Sequence, residues 1–201
     1  RMKLRHMIAE SNYGDVRFRV TVPAETPEVF IITLEPYTPP AQSLIENGVR
    51  VMTVANSARH NASAKTTDWM HLRKRISDTM PDGIYDAILL DEKEQLLEGL
   101  GANFYAIKDD TLRTAAEGVL PGIAQQIVFE VAPQILPVQK TPVIRSEITE
   151  LQEAFITSSS RGIIPVVEID GHKLGNGQPG TKTKVLRERY IAWVNDHLEP
   201  L

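Results

Sequence analysis

The sequence predicts a mixed α/β or α+β fold in two subdomains, on three observations. Strand-like and helix-like runs follow one another in mixed order. A polar stretch at 56–64 divides them. Of the 201 residues, 42% are hydrophobic, which suits one large core or two modest ones.

The elements follow in order. The chain opens at Arg1 in residues that already look helical. Val16 to Val22 alternates between two faces, and Glu28 to Leu34 and Val49 to Val54 are rich in β-branched residues, which predicts three strands. Prolines at 23–27 and 36–40 punctuate them. Residues 1–55 are therefore expected to form a partial first α/β subdomain, 56–64 a linker, and 65–201 a larger second domain. A helix from about Thr66 follows from the spacing of Trp69, Leu72, Ile76 and Met80, and Pro81-Asp82-Gly83 stops it. Strand-like runs at Tyr85–Leu90, Gln95–Leu97 and Asn103–Ile107, with the hairpin signal Lys108-Asp109-Asp110, read as antiparallel sheet. Pro121-Gly122 opens a helix with Ile123, Ile127 and Val131 on one side. A short helix near Ile148–Leu151 leads to a strand at Ala154–Thr157, a serine loop, and a strand at Ile163–Ile169 that ends at Asp170-Gly171. The last helix is expected to bury Leu186, Tyr190, Val194 and Leu198.

Composition removes several function classes. The net charge of −4 is spread over interspersed acids and bases, so no basic face points to nucleic acid. There is no cysteine, which rules out disulfides, thiolate metal sites and cysteine nucleophiles and suits a reducing cytoplasm. No apolar run approaches the roughly 20 residues of a membrane helix, so a soluble, cytoplasmic protein is expected. His6, His60, His71, His172 and His197 lack metal-ligand spacing, are read as surface or linker residues, and predict no metal.

Four segments carry candidate chemistry. Lys65 lies among small residues at the mouth of a helix. Crowding away from water there would favour the neutral amine that an imine-forming lysine needs, although a lysine at a helix start is ordinarily a solvated one. Glu98 ends a strand and precedes two glycines, where a carboxylate could face a cavity or simply solvent. Leu120-Pro121-Gly122-Ile123-Ala124 opens a helix whose first amides are unpaired, a potential anion site. Thr157-Ser158-Ser159-Ser160-Arg161-Gly162 offers hydroxyls and amides after a strand.

In this order the segments resemble the fold-type IV pyridoxal-phosphate enzymes, the family of branched-chain and D-amino acid aminotransferases and aminodeoxychorismate lyase. The matching residues are Lys65, Leu90-Asp91, Glu98-Gly99 with Asn103-Phe104, Leu120-Pro121-Gly122-Ile123, and Thr157 to Ser160 before Pro165-Val166. The likeness runs from about Val16 to the C-terminus. It implies a partial N-terminal α/β domain and a larger, β-barrel-like C-terminal domain that binds pyridoxal 5′-phosphate. It further implies that Lys65 is the Schiff-base lysine and proton shuttle, and that Glu98 pairs with the ring nitrogen. Asn103, Gly122, Ile123, Ala124, Ser159 and Ser160 would complete the cofactor site, with the amides of Ile123 and Ala124 and the serine hydroxyls on the phosphate. Arg17 and Arg19, two apart on one strand face, and Arg161 are candidates for a substrate acid. The implied activity is an aminotransferase for branched-chain-like amino acids with 2-oxoglutarate as acceptor, working as a homodimer. A lyase on the same lysine, or a truncated relic without turnover, are the alternatives.

The pattern departs from the family at named places. Ala124 and Gln125 replace a common Thr-Arg. Trp69 and Met70 stand where a tyrosine often bonds the cofactor's ring hydroxyl, and Ser158 to Gly162 replaces Gly-Thr-Ala-Ala-Glu. The family's N-terminal phosphate-binding arginine has no counterpart before Val16. The intact protein is therefore expected to be longer, and this chain alone to hold cofactor weakly.

Overall fold

The alternating run after residue 15 becomes β1 (Val16–Thr21), preceded by α1 (Met2–Ser11) and paired antiparallel with β2 (Ile31–Pro36), Phe18 opposite Leu34. These elements, with residues 197–201, form the first of two compact units. Arg1 reaches Glu199 at 2.6 Å within it. Arg17 to Val20 are all exposed, so the alternation in β1 marks strand pairing rather than a buried face. The computed structural model describes every residue except His60, Asn61 and Ser63, so the linker reading of His60 lies outside the described residues.

Residues 41–196 form the second unit. It opens with α2 (Gln42–Asn47), β3 (Val49–Val54) and α3 (Asp68–Asp78). Then come β4 (Asp86–Leu90), β5 (Leu96–Gly99), β6 (Asn103–Lys108), β7 (Thr111–Arg113), α4 (Ile123–Val131) and β8 (Val138–Gln139). A 3-10 turn at Arg145–Glu150 leads to β9 (Glu153–Ser158), β10 (Gly162–Ile169), β11 (His172–Lys173) and α5 (Thr181–Asp196). β10, β3, β4, β5 and β6 are neighbours in that order, and β9 pairs with both β6 and β10, so six strands close a ring. β7, β8 and β11 extend it.

Period-two side chains divide this ring into faces. Val49, Val51, Ile88, Leu90, Phe104, Ala106, Ala154, Ile156, Ile164 and Val166 share one buried cluster. The opposite parity packs under helices. Tyr105, Ile107, Phe155 and Ile163 meet Ala124, Ile127, Val128 and Val131 of α4 and Leu186 and Tyr190 of α5. Ala87 and Leu89 meet Trp69, Ile76 and Met80 at α3. β4 is thus buried on both faces, and a Leu or Ile fully buried in this way contributes about 1.5–3 kcal/mol. Tyr105 stacks on Phe155 with centroids 4.5 Å apart.

Some sequence expectations shift. β3, read as part of a first subdomain ending at 55, is a ring strand between β10 and β4, and the compact units divide after Pro40. The 56–64 stretch therefore joins two elements of one unit. Ile123 and Leu72 are exposed, because the buried side of α4 is set by Ala124, Ile127 and Val128 and that of α3 by Trp69 and Ile76. Leu198 lies beyond the end of α5 and is exposed. No described helix is long and apolar enough to cross a membrane.

Candidate functional site

Glu98 is the third residue of β5 and is buried with the rest of that strand. A buried carboxylate must be paired and hydrogen-bonded. Its Oε2 accepts the Leu120 amide at 3.0 Å and its Oε1 accepts from Arg59 Nη1 at 3.2 Å. Both side chains of the ion pair are under a tenth exposed. Burial pushes the Glu98 carboxyl above its ordinary range, and the Leu120 N–H and the Arg59 charge act against that rise.

Asn103 faces Glu98 across the β5–β6 pair, and on its other side pairs with Thr157 of β9. Its Nδ2 donates to the Leu120 carbonyl at 2.8 Å. Two side chains on neighbouring strands therefore fix the approach to α4. Gly122 caps that helix with no side-chain bond to its first turn. Its backbone is extended, so its need for glycine is one of space: a Cβ there would collide with Asn103 Oδ1. Glu98, Asn103 and Gly122, three of the residues singled out in the sequence, are thus brought together. Ala124 is buried against the core, with its methyl packed among the residues under α4.

Lys65 is exposed, contrary to the expected crowding away from water, because it sits in irregular chain before α3 begins at Asp68. It is tied to Glu98 through the backbone: Arg59 Nη2 donates to the Ala64 carbonyl at 2.8 Å while Nη1 holds Glu98. The Arg59 guanidinium also lies over Trp69, 5.1 Å from the ring centroid. Trp69 itself donates Nε1–H to the Leu100 carbonyl at 3.1 Å.

Arg59 was not singled out by the sequence reading. The signal for it was indirect: an acid expected inside must find a cation, and Arg59 is one that precedes Lys65. Asp86 was missed too. It is nine-tenths buried or more and its Oδ1 accepts the amides of Ala87 and Leu100, each at 2.9 Å. Burial raises its pKa, while those amides and the charges of Arg161 and Arg73 lower it. Gly99 is small because a Cβ would sit 2.9 Å from the Asp86 carboxylate.

The hydroxyl loop is the turn between β9 and β10, closed by the Ser158–Gly162 pair with Gly162 at φ +61°. Ser159 is exposed and Ser160 is half-buried. Arg161 is half-buried and its guanidinium contacts Ser158, Tyr85 and Gly101. Arg17 and Arg19 belong to the first unit, where both are exposed and Arg17 pairs with Glu35 on β2.

Comparison with known proteins gives a consistent result. A family model described as amino-transferase class IV matches residues 1–169. A putative branched-chain-amino-acid aminotransferase of Methanocaldococcus jannaschii is 30% identical over 173 residues, which is 82% of this chain and 58% of that protein. A probable branched-chain-amino-acid aminotransferase of Aquifex aeolicus is 33% identical over 127 residues, 61% of this chain and 41% of that one. The chain thus spans about half the length of the curated relatives it matches. Among solved structures, a putative branched-chain amino acid aminotransferase from Thermotoga maritima superposes with a TM-score of 0.80 at 28% identity, covering 98% of this chain and 72% of that one. A second branched-chain amino acid aminotransferase, solved in complex with N-(5′-phosphopyridoxyl)-L-glutamate, superposes at 0.67 with 25% identity, covering 77% of this chain and 54% of that one.

Proposed function

From the fact that this chain belongs to the class IV aminotransferases, we propose that the protein of which it is part moves an amino group between a branched-chain-like amino acid and 2-oxoglutarate, with pyridoxal 5′-phosphate as cofactor. The observation that carries this reading is the buried Glu98, held by Arg59 and the Leu120 amide beside an uncapped helix start.

The donor set fits the cofactor. A buried carboxylate suits a protonated ring nitrogen, and a helix start without a side-chain cap suits a phosphate. When bound, pyridoxal 5′-phosphate supplies an aldehyde for the substrate amine and a ring that withdraws electrons from Cα. Lys65 would hold it through its ε-nitrogen and, once displaced by the substrate amine, would carry a proton between the substrate's Cα and the cofactor's C4′. Glu98 would keep a proton on the ring nitrogen, whose charge would offset the burial that disfavours the ionised carboxyl. The amides of Ile123 and Ala124, with Ser159 and Ser160, would bind the phosphate. Arg59 would restrain the Ala64–Lys65 peptide and orient Glu98. A homodimer in the cytoplasm is part of the same proposal.

Borohydride reduction with cofactor, followed by peptide mapping, tests the lysine: label on the Lys65 peptide, absent in Lys65→Ala, is expected. Reduction elsewhere overturns the assignment. Glutamate formed from 2-oxoglutarate is the expected turnover, whereas pyruvate release without it would replace the transaminase by a lyase. Sedimentation of the whole protein as a monomer would remove the dimer.

A further inference from the structure

Arg161 was a candidate for a substrate acid, but its side chain is already engaged on three sides. Nε donates to Ser158 Oγ at 3.0 Å, Nη1 to the Tyr85 hydroxyl at 3.2 Å, and Nη2 to the Gly101 carbonyl at 3.1 Å. The guanidinium also lies 5.5 Å from the Tyr85 ring centroid. A planar fork of this kind links several acceptors at fixed angles, which a lysine cannot do.

These acceptors belong to three separate parts of the ring. Ser158 ends β9 at the turn carrying Ser159 and Ser160. Gly101 lies in the turn that follows Glu98 on β5, and Tyr85 stands at the entrance to β4. The Gly101 turn is organised from other directions as well, by Asp86 on the Leu100 amide and Trp69 on the Leu100 carbonyl. It is a firm anchor, and the serine turn is the part that gains from being tied to it. The position also marks a departure from the hydroxyl-loop pattern of the fold-type IV enzymes, which commonly has alanine there.

We propose that Arg161 is a positioning residue that ties the Ser158–Ser160 turn to the Gly101 turn and Tyr85, setting the hydroxyls on the phosphate side of the site at a fixed distance from Glu98 on the ring side. This deepens the cofactor reading above and rests on it. Arg161 acts through the serine turn and does not take the substrate carboxylate.

The test uses the whole protein, Arg161→Ala, Arg161→Lys and Tyr85→Phe. Affinity is measured for pyridoxal 5′-phosphate and for pyridoxal, which lacks the phosphate. Arg161→Ala is expected to weaken the phosphorylated cofactor about tenfold, the scale of losing one or two net hydrogen bonds, while pyridoxal changes less than about twofold by the same reckoning. Arg161→Lys should recover only part of the affinity, and Tyr85→Phe should show a smaller loss in the same direction. Without any cofactor, hydrogen exchange at amides 158–162 should quicken in Arg161→Ala. Unchanged exchange, equal weakening of both ligands, or a raised KM for the amino acid with unchanged cofactor affinity would each overturn the proposal. Those outcomes leave wild-type reduction at Lys65 intact, whereas its loss in the wild type strikes the cofactor assignment itself.

Discussion

Glu98 and Asn103, opposite one another on β5 and β6, grip the N–H and the C=O of Leu120 at 3.0 and 2.8 Å. The start of α4 is therefore registered to the sheet by side chains, and the acid that would serve the ring nitrogen also sets the helix start that would serve the phosphate. One consequence is that Glu98 is costly to neutralise. Glu98→Gln leaves Arg59 buried without its counter-charge, and a destabilisation of about 3 kcal/mol is expected. In a double-mutant cycle with Arg59→Met, the paired change should cost less than the sum of the single ones. Additive losses in urea denaturation would show that the ion pair is uncoupled.

Gly122→Ala tests the same junction from the helix side. The new methyl must displace the Asn103 amide, which holds the Leu120 carbonyl. A loss of about 1–3 kcal/mol is expected, the range for overpacking and for a broken buried hydrogen bond. Asn103→Ala should make Gly122→Ala nearly neutral, because the obstructing atom is gone. Thermal unfolding of the two single variants and the double variant checks this.

Glu147 gives the fold an acid-sensitive element. Its carboxylate accepts from Lys108 at 2.6 Å, from Arg113 at 3.0 Å and from the Ile144 amide at 2.8 Å. Burial acts to raise its pKa, but these partners outweigh it and hold the group at about 2. A carboxyl depressed by folding stabilises fully above its unfolded value and loses that contribution as pH falls through the folded one. Glu147→Gln should therefore cost about 1–3 kcal/mol near neutral pH, and the gap from wild type should narrow as pH falls from about 4.5 toward 2. Denaturation midpoints across that window are the measurement; a constant gap would contradict it.

The final helix α5 depends on an acid from the sheet. Glu153 Oε1 accepts the Lys182 amide at 3.0 Å and Oε2 the Thr183 amide at 2.7 Å, satisfying two donors of the first turn. Gly180 leaves room for it, since a Cβ there would overlap the Glu153 side chain. Glu153→Ala should cost about 0.5–2 kcal/mol, the range for a lost helix cap. Circular dichroism should show early fraying, and hydrogen exchange should rise first at residues 181–184.

Much of this was readable in the residues. Ile88 and Leu90 alternate with Ala87 and Leu89, and both parities are apolar because helices cover one side and the ring interior lies on the other. Pro121-Gly122 marked the start of α4, and Glu98, an acid at a strand end before two glycines that could have faced a cavity or solvent, turns inward to Arg59. The partnership of β3 was not readable: Val49 and Val51 declare a strand, but periodicity carries no information about which sheet receives it. Arg59 escaped for a related reason. Its importance comes from Glu98, Ala64 and Trp69 converging on one guanidinium, a relation that exists only after folding. The burial expected of Lys65 failed because small neighbours in sequence do not by themselves supply a covering element.

The pairing of β3 with β10 sets Val49 beside Val166, partners from opposite ends of the second unit. Bringing such distant stretches together is slow, because the entropy of the intervening chain is lost before the contact repays it. During synthesis at the ribosome, β3 must wait with one side unmatched until β10 emerges, and a chain cut short before that strand would keep two open edges able to recruit strands from other molecules.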